Sequence, residues 1–435
     1  MKMTQSRRDF LKSSAVFAGF TLVPRHVLAG SGRAAPSEKL HIACIGVGGM
    51  GASDVRDVSS ENIVALCDVD DKHAAGTFNS YPNARKYKDF RVMLDKEDKS
   101  IDAVTVSTPD HCHAVAAMAA MRRGKHVYCQ KPLCHDVFEV RMLTDAARRY
   151  KVQTQMGIQI HAETAVKRAV ELVKSGLIGK VRRVDIFSDK NWGGGEKPTD
   201  TPPVPPTLDW DLWLGPAAYR PYHPAYLPGN WRRWWDFGTG TLGDMGCHII
   251  DPVWWALDLT YPTSIEATPG PFNDQTYPQA TVVKWEFPAR GDLPPVTVTW
   301  CDGANRPDRP EALEPGRSLP GQGGLYYGDK GVILAPHMSN PHLIPAAKMR
   351  EIDAPEPFLG RGVNHYQDWI RACKGGPKPS ANFDYSGPLS EAILLGNVAA
   401  RAGAKIEWDA ANLTITNNDQ ANAWLRRKYR DGWTL

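Results

Sequence analysis

A lysine, an aspartate and a histidine stand in contexts that favour proton-transfer chemistry. Lys131 follows a short apolar run, and Asp244 and His248 are four residues apart in a glycine-rich stretch. On a helix this spacing places both side chains on one face, where an acid and an imidazole can orient a hydroxyl group and accept its proton. A nearby ammonium group would stabilise the developing alkoxide. The alternatives are structural: an exposed lysine, a His–Asp helix cap, or metal ligation by Asp244, His248 and Asp251.

A glycine-rich turn stands near the start of the chain. Residues 46–51 read Gly-Val-Gly-Gly-Met-Gly, between an apolar run and a helical pattern, and Asp68 follows 22 residues after Gly46. Glycines there let the backbone approach a pyrophosphate at a helix N-terminus. An acid at the end of the next strand binds ribose hydroxyls and repels a 2′-phosphate, which favours NAD over NADP. The alternative is a plain glycine turn with a surface aspartate. The predicted cofactor contacts here are Gly46, Gly48, Gly49, Met50, Gly51 and Asp68.

A polar loop with the sequence Ser-Thr-Pro-Asp-His-Cys-His occupies residues 107–113, directly after a short apolar run. Ligands of parallel sheets bind at the carboxyl ends of the strands, so this loop is predicted to pack against the nicotinamide half of the cofactor. Zinc ligation by residues 111–113 is the alternative, but adjacent side chains cannot easily all face one tetrahedral ion, and no metal site is expected. The further predicted cofactor contacts are Ser107, Thr108, Pro109, His113, Gln130 and Lys131.

The elements that must position these residues follow from the hydrophobic pattern. Between residues 40 and 155, apolar runs alternate with helical patterns, which predicts parallel βαβ units and a doubly wound fold. After residue 160 the β-like runs become longer, at 181–187, 281–287 and 296–300. Helices are predicted at 365–373 and 389–402. The sequence therefore predicts an α/β protein with a Rossmann domain at 38–157 and a second, α+β domain at 158–435.

Eight of the fourteen tryptophans lie between Trp192 and Trp255, in or near a Pro-rich stretch. Aromatic faces beside charged hydrogen-bonding groups suit a carbohydrate, although ordinary core packing accounts for many tryptophans. The stretch leads through several glycines directly to Asp244, which places it near the predicted acid. The predicted substrate contacts are His161, Asn191, Trp192, Arg232, Trp235, Asp244 and His248.

Taken together, the glycine turn, the residue 107–113 loop, the Lys131-Pro132 pair and the Gly-x-x-Asp-Met-Gly-x-His-x-x-Asp stretch resemble the Gfo/Idh/MocA oxidoreductases. The resemblance implies that Lys131, Asp244 and His248 are catalytic. It also implies a large, open, mostly antiparallel sheet in the second domain and assembly into dimers or tetramers. The chain departs from the family's usual Glu-Lys-Pro at Gln130, which removes a negative charge beside Lys131.

The N-terminus has the features of an export signal. Arg7 and Arg8 precede an apolar stretch at residues 13–23, and Val27-Leu28-Ala29 offers a cleavage site. This pattern is typical of a twin-arginine signal at residues 1–29, with a linker at 30–37; a basic N-terminal helix is the alternative. The apolar stretch is too short to span a bilayer. A periplasmic or otherwise exported location is therefore expected.

Charge and composition limit the remaining choices. The net charge of +4 comes from residues 1–29, and acidic and basic residues balance over the rest of the chain, so no nucleic-acid partner is expected. The eight cysteines are sparse, and no disulfide framework is expected. The sequence predicts an exported oxidoreductase that acts on a sugar or glycoside hydroxyl with tightly bound NAD. The alternatives are a redox-neutral NAD-dependent glycosidase or lyase and a non-catalytic NAD- and sugar-binding protein.

Overall fold

The computed structural model describes residues 38–435, and the predicted signal and linker lie outside the described residues. Residues 40–157 form a parallel sheet of six strands in the order β3-β2-β1-β4-β5-β6. This order is that of a Rossmann fold, as predicted. The strands are β1 His41–Ile45, β2 Asn62–Cys67, β3 Arg85–Tyr87, β4 Ala103–Val106, β5 His126–Gln130 and β6 Thr154–Gly157. The helices are α1 Met50–Asp57, α2 Asp71–Ser80, α3 Phe90–Glu97, α4 Asp110–Arg122 and α5 Val137–Tyr150.

Strand β1 shows why these runs become central strands. Ala43 and Ile45 belong to the hydrophobic core on one face of the sheet, and Ile42 and Cys44 belong to the core on the other face. A parallel sheet covered on both faces needs such a continuous apolar run. Consequently the carboxyl ends of β1, β4 and β5 open at one edge, where the glycine turn, the residue 107–113 loop and Lys131 follow.

The second domain is built on a nine-stranded sheet in the order β13-β12-β11-β7-β10-β9-β8-β14-β15. Strands β7 and β10 are parallel, and the other pairs are antiparallel. The large, mostly antiparallel sheet is therefore confirmed. The strands are β7 Val181–Ser188, β8 Ser264–Pro269, β9 Thr281–Phe287, β10 Val296–Asp302, β11 Gln322–Gly328, β12 Val332–Pro336, β13 His342–Ile344, β14 Ile406–Asp409 and β15 Thr414–Ile415. The helices are α6 Thr164–Lys174, α7 Trp210–Leu214, α8 Gly240–Ala256, α9 His365–Cys373, α10 Phe383–Ala402 and α11 Asp419–Asn422.

Helix α10 begins earlier than the sequence predicts. It begins at Phe383 rather than at residue 389, and Pro388 lies inside it. The Asn382 side chain accepts from the Asp384 backbone N–H at 3.0 Å, which satisfies a donor of the first turn. This capping bond and burial of Phe383 outweigh the hydrogen bond that Pro388 cannot make.

Residues 197–237, which include the Pro-rich stretch and five of the tryptophans, form an ordered segment that we call the excursion. A small separate core within it contains Trp210, Trp213, Tyr222, Tyr226, Trp231, Trp234 and Phe237. Two backbone hydrogen bonds join it to the Rossmann domain, from Asp209 N to Val69 O at 2.9 Å and from Asp71 N to Thr207 O at 3.0 Å. The excursion therefore lies against the loop that follows β2.

Two further findings concern the described residues. The eight cysteines are free thiols, and seven of them are buried. Within residues 38–435 no helix combines the length and the apolar character needed to cross a membrane.

Candidate active site

A cleft of about 510 Å³ runs along the carboxyl edge of the Rossmann sheet and beneath the excursion. The glycine turn, the residue 107–113 loop and the end of β5 form one wall, and the excursion forms the other. Of the residues singled out from the sequence, the cleft is lined by Gly46, Gly48, Gly49, Met50, Asp68, Ser107, Thr108, Pro109, Gln130, Lys131, Arg232 and His248.

Side chains are excluded from the glycine turn by the neighbouring atoms. Gly46 has φ +75°, and a Cβ there would lie 2.7 Å from the Ser107 carbonyl. A Cβ at Gly48 would overlap the His73 ring, at 2.0 Å, and a Cβ at Gly51 would overlap the Gly46 carbonyl oxygen, at 1.9 Å. The turn is therefore a bare backbone cradle that leads into α1, whose N-terminus no described side chain caps. Such a cradle fits a pyrophosphate.

Asp68 lies beside this cradle and helps to shape it. Its Oδ2 accepts from Val47 N at 2.8 Å and from Gly48 N at 3.2 Å, and its Oδ1 accepts from Asp70 N at 3.0 Å. Burial raises the pKa of Asp68, and these backbone donors oppose that rise. Asp68 also lines the cleft, at the position where an adenosine ribose would lie.

At the other end of the cleft, Lys131 and Arg232 converge on Asp244. Lys131 Nζ donates to Asp244 Oδ1 at 2.5 Å and to its backbone carbonyl at 3.1 Å. Arg232 Nε donates to the same Oδ1 at 3.0 Å, and Trp192 Nε1 donates to Oδ2 at 2.8 Å. Burial would raise the pKa of Asp244, but the two cations hold it well below its ordinary value. Asp244 is thus an ionised anchor for two cleft-lining cations.

His248 lies one turn further along α8, on the same face as Asp244. Burial and the charge of Lys131 lower its pKa to about 3, so the imidazole is neutral near pH 7. Its Nδ1 is buried and has no hydrogen-bond partner among residues 38–435. The ring lines the cleft beside Lys131.

Comparison with known families agrees with this geometry. Residues 40–158 match the family model described as "Oxidoreductase family, NAD-binding Rossmann fold". Residues 162–286 match the family model described as "Oxidoreductase family, C-terminal alpha/beta domain". Together the two matches cover more than half of the chain. The chain belongs to the Gfo/Idh/MocA oxidoreductase family. Its first domain is an NAD-binding Rossmann domain.

Curated relatives in this family include dehydrogenases. Glucose-6-phosphate 3-dehydrogenase of Bacillus subtilis is 22% identical over 225 residues, which are 51% of this chain and 55% of the relative. Inositol 2-dehydrogenase 2 of Saccharopolyspora erythraea is 32% identical over 151 residues, which are 32% of this chain and 42% of the relative. The chain thus spans about half the length of these curated relatives.

Solved structures of other proteins share the fold over most of the chain. The WlbA dehydrogenase from Bordetella pertussis, in complex with NADH and UDP-GlcNAcA, has a TM-score of 0.61 at 16% identity and covers 85% of this chain and 99% of its own. Aldose-aldose oxidoreductase from Caulobacter crescentus, complexed with glycerol, has a TM-score of 0.56 at 18% identity and covers 85% and 100%.

Several residues predicted for the site lie elsewhere. His161 is buried beside Asp251, and Trp235 packs against Tyr277 with ring centroids 3.7 Å apart, both outside the cleft. His161 is enclosed by other side chains, and Trp235 is partly exposed. Their assignment as substrate contacts stays a prediction. Asn191 is exposed and does not line the cleft.

His113 and Gly51 support the site from behind rather than lining it. His113 Nδ1 lies 2.9 Å from the Pro132 carbonyl and Nε2 lies 2.8 Å from the Thr108 carbonyl, so the ring joins two loops. His111 bonds in the same way to carbonyls of the excursion. Within residues 38–435 no group of three His, Cys, Asp or Glu side chains is arranged to hold a metal ion.

Two buried carboxyl groups at the cleft were missed by the sequence analysis. Asp110 lines the cleft and accepts from Thr239 Oγ1 at 2.6 Å; burial raises its pKa to about 7. Asp54 lies under the glycine turn and contacts Gln130 and Ser107. Asp110 belongs to the residue 107–113 loop, which gave a signal for it in the sequence. Asp54 had no such signal, because a polar residue on a short helix is most often exposed.

Proposed function

We propose that this protein is an NAD-dependent oxidoreductase that oxidises a sugar or glycoside hydroxyl. The observation that carries the proposal is the convergence of Lys131, Asp244 and neutral His248 at one end of a cleft that begins at a dinucleotide cradle. The names of the relatives, which act on a sugar phosphate or an inositol, support a polyhydroxylated substrate.

Each residue has a distinct role in this proposal. Bound NAD supplies a hydride acceptor, its nicotinamide ring. Lys131 stabilises negative charge on the substrate oxygen, and His248, a neutral ring that lines the cleft, accepts the hydroxyl proton. Asp244 orients Lys131 and Arg232. Because Asp68 would repel a 2′-phosphate, NAD is favoured over NADP.

The cofactor is proposed to stay bound through turnover. The excursion covers the cleft opposite Asp68, and its backbone is hydrogen-bonded to the loop after β2 on that side. A retained cofactor also suits export, since the compartment outside the cytoplasm has no dedicated nicotinamide pool to exchange with.

Asp110 favours a second candidate, redox-neutral cleavage of a glycoside. With a pKa raised to about 7, this cleft-lining carboxyl group is partly protonated near neutral pH and could donate its proton to a departing oxygen. Oxidation of the sugar by NAD, elimination of the leaving group, addition of water and return of the hydride to the sugar would then leave the NAD content unchanged. Glycoside cleavage without net NADH formation, abolished by Asp110→Asn, is the result that selects this candidate.

The first experiment measures the cofactor and then the reaction. The full chain is purified and denatured, and released NAD(H) is quantified; we expect close to one per chain. The native protein is then mixed with hexoses, inositols and methyl glycosides, and absorbance at 340 nm reports reduced cofactor. Sugar-dependent reduction should be lost in Lys131→Ala and kept in Lys190→Ala, an exposed lysine outside the cleft.

Other outcomes decide between the alternatives. NADP(H) instead of NAD(H) would contradict the role of Asp68. Sugar binding without turnover in the unmodified chain would identify a non-catalytic binding protein. Unchanged turnover in Lys131→Ala would refute the catalytic assignment.

Export and self-association complete the proposal. We propose periplasmic or similar export through the twin-arginine pattern at Arg7 and Arg8. Arg7→Lys/Arg8→Lys should retain the protein in the cytoplasm in cell fractionation, and unchanged export would contradict the signal. By resemblance to the family, a dimer or tetramer is expected, and light scattering tests it.

A further inference from the structure

Gln130, which stands where the family pattern has Glu, has a defined set of contacts. Its Nε2 donates to both carboxylate oxygens of Asp54, at 3.0 Å each, and its Oε1 accepts from the Lys131 backbone N–H at 3.4 Å. A Cβ at Gly157 would lie 2.8 Å from the amide carbon, so the side chain is also confined from below. The amide thus connects Asp54 to the backbone of the reactive lysine.

Asp54 collects hydrogen bonds from three separate segments. Besides Gln130, its Oδ2 accepts from Ser107 Oγ at 2.6 Å and its Oδ1 accepts from Tyr366 OH at 2.7 Å. Asp54 is fully buried on α1 and does not itself line the cleft, whereas Gln130 and Ser107 both do. One buried carboxylate therefore orients two residues of the cleft wall.

The side chains of Asp54 and Gln130 are complementary as one carboxylate and one amide. A carboxylate offers only acceptors when ionised, so the facing side chain must supply a donor. Two carboxylates at this separation could not both be ionised. The negative charge absent from position 130 is therefore present in the structure, one hydrogen bond away at Asp54.

We propose that Asp54 is a positioning residue for the nicotinamide end of the cleft, and that Asp54 and Gln130 form an acid–amide pair whose members can be exchanged. The carboxylate holds the Ser107 hydroxyl and the Gln130 amide, and the amide holds the backbone of Lys131. The proposal depends on NAD occupying the cleft, and it does not depend on which substrate is oxidised.

The test is a double-mutant cycle on the full chain, with NADH affinity measured by calorimetry after the bound cofactor is removed. Asp54→Asn should weaken binding about tenfold, since charged acceptor contacts are lost. Gln130→Glu should weaken it about 100-fold, because two carboxylates then face each other. The exchanged variant Asp54→Asn/Gln130→Glu should return to within about threefold of the unmodified chain, where independent effects would multiply to about 1,000-fold.

A matched control lies on the same helix. Asp57 is partly exposed and pairs with Arg56, so Asp57→Asn should leave NADH affinity unchanged. An exchanged variant that fails to fold, or that binds no better than Gln130→Glu, overturns the proposal, as does a Gln130→Glu variant with unchanged affinity. A chain that binds NADH but oxidises no sugar refutes the proposed function and leaves this test intact.

Discussion

Helix α8 carries two aspartates, two turns apart, in opposite surroundings. Asp244 anchors Lys131 and Arg232, which line the cleft. Asp251 is fully buried; both its oxygens lie 2.9 Å from His161 Nδ1, and Oδ1 also accepts from Tyr385 OH at 2.7 Å.

The difference between the two clusters separates a site from a structural network. The His161 ring is enclosed, stacked on Trp255 at 4.3 Å, and its Nδ1 faces Asp251. His248 is neutral and lines the cleft beside Lys131. Two aspartates on one helix thus differ because one cluster is enclosed and the other borders a cleft. We name His161, Asp251 and Tyr385 the sealed cluster. We name Lys131, Arg232, Asp244 and His248 the cleft cluster.

The largest expected effect comes from opening the sealed cluster. Asp251→Ala leaves His161 and Tyr385 buried without their acceptor, and we expect the free energy of unfolding to fall by about 3–5 kcal/mol. Urea unfolding followed by fluorescence measures it. A loss below about 1 kcal/mol would mean that the sealed cluster is not a stabilising network.

The next effect should be confined to turnover. Lys131→Ala removes the cation from the cleft while Arg232 still pairs with Asp244, so turnover should fall about 100- to 1,000-fold with little change in unfolding. Steady-state kinetics on the identified substrate and thermal unfolding separate the two quantities. A large stability loss with turnover intact would reverse the comparison between the clusters.

The neutral state of His248 predicts a pH-dependent effect of smaller size. Because its folded pKa is about 3, the unfolded chain takes up this proton below pH 6.5 and the native chain does not, so stability is lost as pH falls. His248→Asn removes that loss. Relative to the unmodified chain, the variant should therefore gain about 2 kcal/mol on going from pH 7.5 to pH 5. Equal urea midpoint shifts in both proteins would contradict a neutral His248.

The smallest effect tests the hydrogen bond from Trp192 to the Asp244 carboxylate. Trp192→Phe removes the Nε1 donor to Asp244 Oδ2 but keeps an aromatic ring, and the two cations remain. We expect a loss in kcat/KM of about 10- to 20-fold, the low end for one hydrogen bond to a charged group. Trp235→Phe, outside the cleft, is the control and should change kcat/KM less than twofold.

Much of the fold was predictable because its signals are local. The buried strands of the Rossmann sheet are continuous apolar runs. The glycine turn and Asp68 are separated by the helix and second strand of one βαβ unit. Strand β3 was not predictable in this way, since its exposed Arg85 and Lys86 give no apolar signal. The four-residue spacing of Asp244 and His248 needed only a helix to place them on one face.

The sequence by itself therefore determined the Rossmann domain, the dinucleotide cradle and the lysine, aspartate and histidine of the cleft cluster. Only the tertiary structure decided that His161 is enclosed, that the excursion forms one wall of the cleft, and that Asp54 is the partner of Gln130. The physical reason is range: spacing along one strand or helix fixes a local arrangement. Burial and hydrogen-bond partners come from distant segments; Asp54 and Tyr366, for example, are 312 residues apart.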